Sequence, residues 1–354
     1  MSTDAGASAA AAAATAARSR RALRLAVGTA LCLATSFGFQ WAIPMVAPVL
    51  AVFLFATVGR PLPAKAGLAL ALLVMATTGT GLLLIPFLRH APLSGVLMTA
   101  LGLFLAFRYG LRGGNGLVST FLVAGIALIS VAGTADMGLA LSVIGALARG
   151  LLLGVVMLAV CHWLIPEPGT ATPAAKPPAP VVSDADWMAW RATLVVMPAF
   201  LLAMADPAGY LPIVMKAVSL GRQSCTTARS AATELLGSTL LGGLLAILFW
   251  FALGLSVNLW MFFLWTILFA LVVARRLFAI RPTRATPGFW LNSLVTMIIL
   301  LGQSVEDSAA GKDVYQAFAV RMGLFIGVSL YGVFMLRWLD HRRQRTVSTA
   351  STTI

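Results

Sequence analysis

Two arginines stand inside long apolar runs, and each precedes a pair of glycines. Ala146-Leu-Ala-Arg149-Gly150-Leu-Leu-Leu-Gly154 lies in the run from Leu139 to Ile165, and Val320-Arg321-Met-Gly323-Leu-Phe-Ile-Gly327 follows late in the chain. A charge within a lipid-spanning helix costs about 2.5–3.5 kcal/mol on insertion scales, so it normally faces protein or a water-filled path. The chemistry a guanidinium offers there is anion recognition, because its fork of N–H donors fits a carboxylate. The G-x-x-x-G spacing puts Gly150 with Gly154, and Gly323 with Gly327, on one helix face, where a second helix can approach closely. Superposing the glycine pairs leaves the two arginines offset by one residue. Two readings stay open. Either Arg149 and Arg321 mark a central polar path and bind a substrate, or each donates to carbonyls of a neighbouring helix and locks the bundle.

Three carboxylates are candidates for proton exchange: Glu234, shortly after Arg229, Asp206 before Pro207, and Asp313. Intramembrane acids commonly serve as proton relays, while acids at helix ends are more often solvated charges. Glu306 and Asp307 belong with the end acids. Thr77-Thr-Gly-Thr-Gly81, and Asn292, Ser293 and Thr296, place small and hydroxyl residues in mid-helix, which suits tight packing or a polar lining. The chain shows no phosphate loop, no nucleophile elbow and no metal-ligand spacing, so neither an enzyme nor a cofactor is expected. Cys32, Cys161 and Cys225 are far apart and read as packing residues.

These residues need elements to hold them, and composition says what kind. The chain is 60% hydrophobic and 10% charged, with a mean hydropathy of +0.95. Soluble domains carry roughly 25% charged residues, and runs near 20 apolar residues cross a bilayer as helices. The expected fold is an all-α polytopic membrane protein, in two parallel-repeat halves of about six helices each, some short or broken. The net charge of +14 reflects basic residues flanking apolar segments rather than a nucleic-acid patch.

Residues 1–17 are expected to be a disordered tail, 18–166 the first membrane half and 167–186 a Pro-rich cytoplasmic linker. Residues 187–338 would form the second half and 339–354 a basic cytoplasmic tail. The segment over residues 210–217 is too short to span about 30 Å as a helix, the piece near 42–58 is short as well, and the exact helix count around 42–58 and 208–218 stays open. With both termini inside, 21 of the 25 Lys and Arg residues fall at inner loops and ends. Only Arg89 and Lys312 fall outside, with Arg149 and Arg321 in the membrane. That asymmetry sets the orientation, and an even number of crossings per half gives both halves the same one. Arg21-Ala-Leu-Arg-Leu-Ala-Val against Arg191-Ala-Thr-Leu-Val-Val, and Pro44 against Pro212, mark the repeat.

Arg18–Arg24 leading into an apolar run, Trp41-x-x-Pro44 and then Gly59-Arg-Pro-Leu-Pro63 resemble the DUF2955 membrane proteins. These are similar to the fusaric-acid-resistance and aromatic-acid exporter group. The resemblance runs from about Arg18 to Arg345. The larger exporters carry sizeable cytoplasmic domains after each half, where this chain has a linker and a short basic tail. The resemblance implies a bacterial inner-membrane efflux component for small organic acids, aromatic ones included, driven by the proton gradient. Its partners would be a periplasmic membrane-fusion protein and an outer-membrane channel. Two other readings stand beside it: a non-transporting scaffold for a fusion protein, which gives no flux, and a passive anion conduit, whose flux ignores the pH gradient.

Overall fold

The computed structural model describes residues 2–166, 182–206, 214–219, 221 and 228–351, and those residues are helical with no strand. The helices are α1 (Ser2–Gly38), α2 (Val46–Thr57), α3 (Ala64–His90), α4 (Pro92–Leu111), α5 (Gly116–Ala135) and α6 (Met137–Leu164). They continue as α7 (Val182–Ala205), α8 (Ala228–Gly254), α9 (Leu259–Leu277), α10 (Pro287–Ala309) and α11 (Val314–Ser351). A short helical piece covers residues 214–219. Among the described residues, nine helices are long and apolar enough to cross a membrane, and α2 is a shorter apolar one. The chain is a multi-pass membrane protein.

Starts and stops follow local chemistry. Asn115 precedes α5 and accepts from Leu117 N at 3.0 Å, and Asn258 caps α9 by accepting from Met261 N at 2.7 Å. Thr286 caps α10 ahead of Pro287, a residue whose missing N–H costs nothing in a first turn. Gly113 and Gly311 turn with φ of 90° and 71°, the left-handed region in which glycine carries no Cβ penalty.

Several boundaries differ from the sequence expectation. The tail expected to be disordered is helical from Ser2 and continuous with α1, because its alanines have the highest helix propensity of any residue. α11 runs on to Ser351, through the expected basic tail. α10 extends to Ala309, so Glu306 and Asp307 sit in its last turn rather than in a loop. Most of the expected linker, with Lys176, and also Pro207, Pro212, Arg222 and Cys225, lie outside the described residues.

The chain divides into two compact units. Unit 1 holds Met1–Ala71, Ala146–Lys176 and Leu241–Lys312, and unit 2 holds Leu72–Gly145, Pro177–Leu240 and Asp313–Ile354. Unit 1 thus takes α1, α2 and most of α6 from the first expected half, with most of α8 and all of α9 and α10 from the second. Unit 2 takes α4, α5 and most of α3 from the first, with α7 and α11 from the second.

Unit 1 is built around α1 packed on α9, with α2 beside α1 and α10 beside both α2 and α9. Phe37 meets Phe262 edge-on with ring centroids 5.2 Å apart, and Phe249 of α8 meets Phe262 at 5.7 Å. A Cβ on Gly28 would overlap the Phe55 ring, so that glycine is the seat on which α2 rests against α1. Cys32 and Cys161 are buried free thiols.

Unit 2 packs α4 on α7 and α7 on α11. Phe104 and Trp190 lie 5.6 Å apart, and Tyr331 donates to the Leu194 carbonyl at 3.1 Å. The buried hydroxyls of Thr239 and Ser329 lie 3.1 Å apart and each also lies 2.7 Å from a carbonyl of its own helix, so one hydroxyl donates to the other and the second donates to its own helix. Asp186, in the first turns of α7, takes Arg108 Nε at 2.8 Å and Arg112 at 2.9 Å.

Candidate functional site

In unit 1, α2 has 12 residues and so is about 18 Å long at 1.5 Å per residue, well short of a hydrocarbon core of about 30 Å. The glycine pair of α6 shows where it begins. A Cβ on Gly150 would stand 3.0 Å from Ala47 Cα and 3.2 Å from Ala47 N; one on Gly154 would lie 3.5 Å from Leu54 Cδ2 and 3.8 Å from Ala51 Cα. The first turn of α2 is therefore level with Arg149. Arg149 follows the first residue of α6 by 12 positions and precedes the last by 15, about 18 Å and 22 Å along the axis. The α1–α2 turn stops beside the middle of α6.

That turn, residues 39–45, brings Trp41 to Arg149. The Arg149 guanidinium carbon is 5.8 Å from the centroid of the Trp41 ring, within range of a cation–π attraction. Gln40 has a positive φ of 50°, which lets α1 end and the chain reverse. Met45, the last residue before α2, packs on α10: Gly302 presses against its side chain, and Gln303 Nε2 lies 3.9 Å from its sulfur. Arg149 itself is exposed. The opening N–H groups of α2 point their positive dipole end into the same turn. A half-length helix start beside a guanidinium and an indole face can hold a carboxylate or other small anion.

Arg321 belongs to unit 2 and is half-buried on α11. No described residue lies within 4 Å of a Cβ built on Gly323 or Gly327. Those two glycines, with Leu324, Val328 and Tyr331, border an apolar hollow of about 220 Å³ whose other wall is Pro198, Ala199 and Leu202 of α7.

The proton-exchange candidates are spread out. Glu234 is half-buried on α8 beside Leu235, which packs with Val195 and Leu336. Asp206 is exposed just past α7. Asp313 is exposed and caps α11, accepting from Tyr315 N at 3.0 Å and Gln316 N at 3.2 Å. Among the described residues no group of three or more His, Cys, Asp or Glu is placed to hold a metal ion.

Four buried charges escaped the sequence reading as interior groups. Arg24, Arg191 and Lys216, counted there as charges at membrane edges, are 2%, 3% and 1% exposed, and Asp307 is 4% exposed with Lys312 Nζ 4.0 Å away. The signal for Arg24 and Lys216 was their flanks, Ala22-Leu23 with Leu25-Ala26, and Val214-Met215 with Ala217-Val218.

No curated protein and no solved structure matches the chain. One family model does, the one described as protein of unknown function DUF2955, over residues 21–161. That span includes the α1–α2 turn, the Gly59–Pro63 motif and Arg149 with both glycines of α6. Residues 21–161, less than half of the chain, are thus similar to DUF2955, the family that the sequence motifs resemble.

Proposed function

We propose that this protein is an inner-membrane efflux component for small organic anions. It would work with a periplasmic membrane-fusion protein and an outer-membrane channel and be driven by the proton gradient. The observation that carries the reading is Arg149, held at the middle of an apolar helix beside Trp41 and the start of half-length α2. A guanidinium kept at that depth costs free energy, which anion recognition would justify. The resemblance to the fusaric-acid-resistance and aromatic-acid exporter group supports the partners and the direction of transport. The composition of the two units supports a repeat. Each takes most of the first, second and sixth helices of one half with most of the third, fourth and fifth of the other.

The test is flux. Purified protein in liposomes, given a panel of labelled small carboxylic acids and an imposed pH gradient, should move at least one acid. Arg149→Ala and Arg321→Ala should each abolish that movement at unchanged expression. Flux that ignores the pH gradient would point to a passive conduit. Absence of flux with every acid, while the protein still captures a fusion protein, would replace the reading with a scaffold.

A further inference from the structure

Two neighbouring spans of unit 2 are broken, and they are broken where they touch. α3 is α-helical over Ala64–Gly79, tightens to 3-10 geometry over Thr80–Leu84 and resumes as Ile85–His90. α5 is α-helical over Gly116–Ala124, widens to π geometry over Gly125–Ile129 and resumes as Ser130–Ala135. Mid-helix 3-10 stretches mark hinges or strain, and π-turns recur at functional sites. Here the two irregular stretches pack directly on each other. A Cβ on Gly81 would overlap the carbonyl oxygen of Gly125, and one on Gly125 would come 2.6 Å from Thr78 Cα and 2.7 Å from Thr78 O.

We propose that Ile85–His90 and Ser130–Ala135 form one cap that pivots about the Gly81–Gly125 contact. Close packing alone does not require the breaks. In unit 1, a Cβ on Gly242 of α8 would come 2.7 Å from Ser293 O of α10, yet both helices run unbroken through that contact. Beyond the breaks the two C-terminal ends are tied to each other. Arg89 donates to Gly133 O at 2.7 Å and to Thr134 O at 3.3 Å, and a Cβ on Gly133 would overlap the end of Ile85. The level of the breaks is also rich in hydroxyls that hold carbonyls while helix geometry changes. Thr77 Oγ1 lies 2.7 Å from Leu73 O and 3.2 Å from Val74 O, Thr80 donates to Thr77 O, and Ser130 donates to Ile126 O. A tied pair of ends above a shared level of broken backbone is a block on a hinge.

Spin-label distances in the reconstituted full-length protein test this, with Cys32, Cys161 and Cys225 replaced. Labels at Leu72 and His90 span the break, about 27 Å along the axis; labels at Leu93 and Tyr109 span about 24 Å of unbroken α4. All four positions are exposed. The Leu72–His90 distribution should show two maxima, or a width several ångströms greater than that of Leu93–Tyr109. A third pair, His90–Asp136, should stay single and narrow and should broaden in Arg89→Ala. A Leu72–His90 distribution as narrow as the α4 control overturns the hinge. A broad His90–Asp136 distribution in the parent, or no response to Arg89→Ala, overturns the single cap.

Discussion

Alanine at Gly150 and at Gly154 should act in opposite directions although the residues lie one helical turn apart. Replacing glycine by alanine inside a helix contributes about 0.8–1.0 kcal/mol of propensity at either place. At Gly154 the new Cβ meets Leu54 Cδ2 at 3.5 Å and Ala51 Cα at 3.8 Å, ordinary contact distances, so the helix gain stands and Gly154→Ala should stabilise by about 0.5–1 kcal/mol. At Gly150 the Cβ would stand 3.0 Å from Ala47 Cα and 3.2 Å from Ala47 N. These are backbone atoms, which cannot rotate aside, so α2 has to move. Overpacking of that kind costs about 1–3 kcal/mol, which leaves Gly150→Ala destabilised by about 1 kcal/mol after the helix gain. The separation between the two variants is then about 2 kcal/mol, from the same two magnitudes. Reversible unfolding of the purified protein in mixed micelles with SDS, followed by helical circular dichroism, measures it. Equal shifts of the same sign would refute the placement of α2 against α6 and, with it, the level assigned to Trp41.

Three further outcomes follow from contacts in the two units. In a double-mutant cycle on Trp41→Ala and Arg149→Gln, read as unfolding free energy, the coupling should be about 0.5–1 kcal/mol, the value for an exposed cation–π pair. Asp186→Asn removes two half-exposed ion pairs, to Arg108 and Arg112. It should lower stability, and the loss should shrink in about 1 M salt, where the screening length is about 3 Å. Thr239→Val and Ser329→Ala should couple by only about 0.6 kcal/mol, since interhelical hydroxyl bonds in membranes average that much and each hydroxyl, once the other is removed, has a carbonyl of its own helix as acceptor.

Hydropathy made the membrane spans legible, because each of α3 to α11 except the starts and ends is set by an apolar run. Gly150 and Gly154 were legible for the same reason that they pack: spacing of four places them on one face. That α2 is short was visible too, in the run before Gly59, but that it covers only about 18 Å and starts level with Arg149 was not. Other features were not. That α3 and α5 break at one level depends on backbone geometry at Thr80–Leu84 and Gly125–Ile129, and only the cluster Thr77–Gly81 hinted at it. Ring contacts such as Trp41 over Arg149 join residues more than a hundred positions apart, which no local pattern encodes. Three of the five unit boundaries cut through α3, α6 and α8, where no linker or proline signals them; the other two, after Lys176 and after Lys312, fall in the Pro-rich linker and between α10 and α11. Asp307 looked like a loop acid because the apolar run ends at Leu301; hydrogen bonding carries the helix eight residues further.

α11 has a consequence of a different sort. Its apolar span closes at Leu339, yet the same helix continues without interruption to Ser351. Twelve more residues at 1.5 Å each make a rod of about 18 Å. Because an unbroken helix transmits tilt along its length, tilting the membrane-embedded part of α11 by a few degrees sweeps the far tip of that rod through an arc. A fluorophore at its end would report that swing, amplified by the length of the lever.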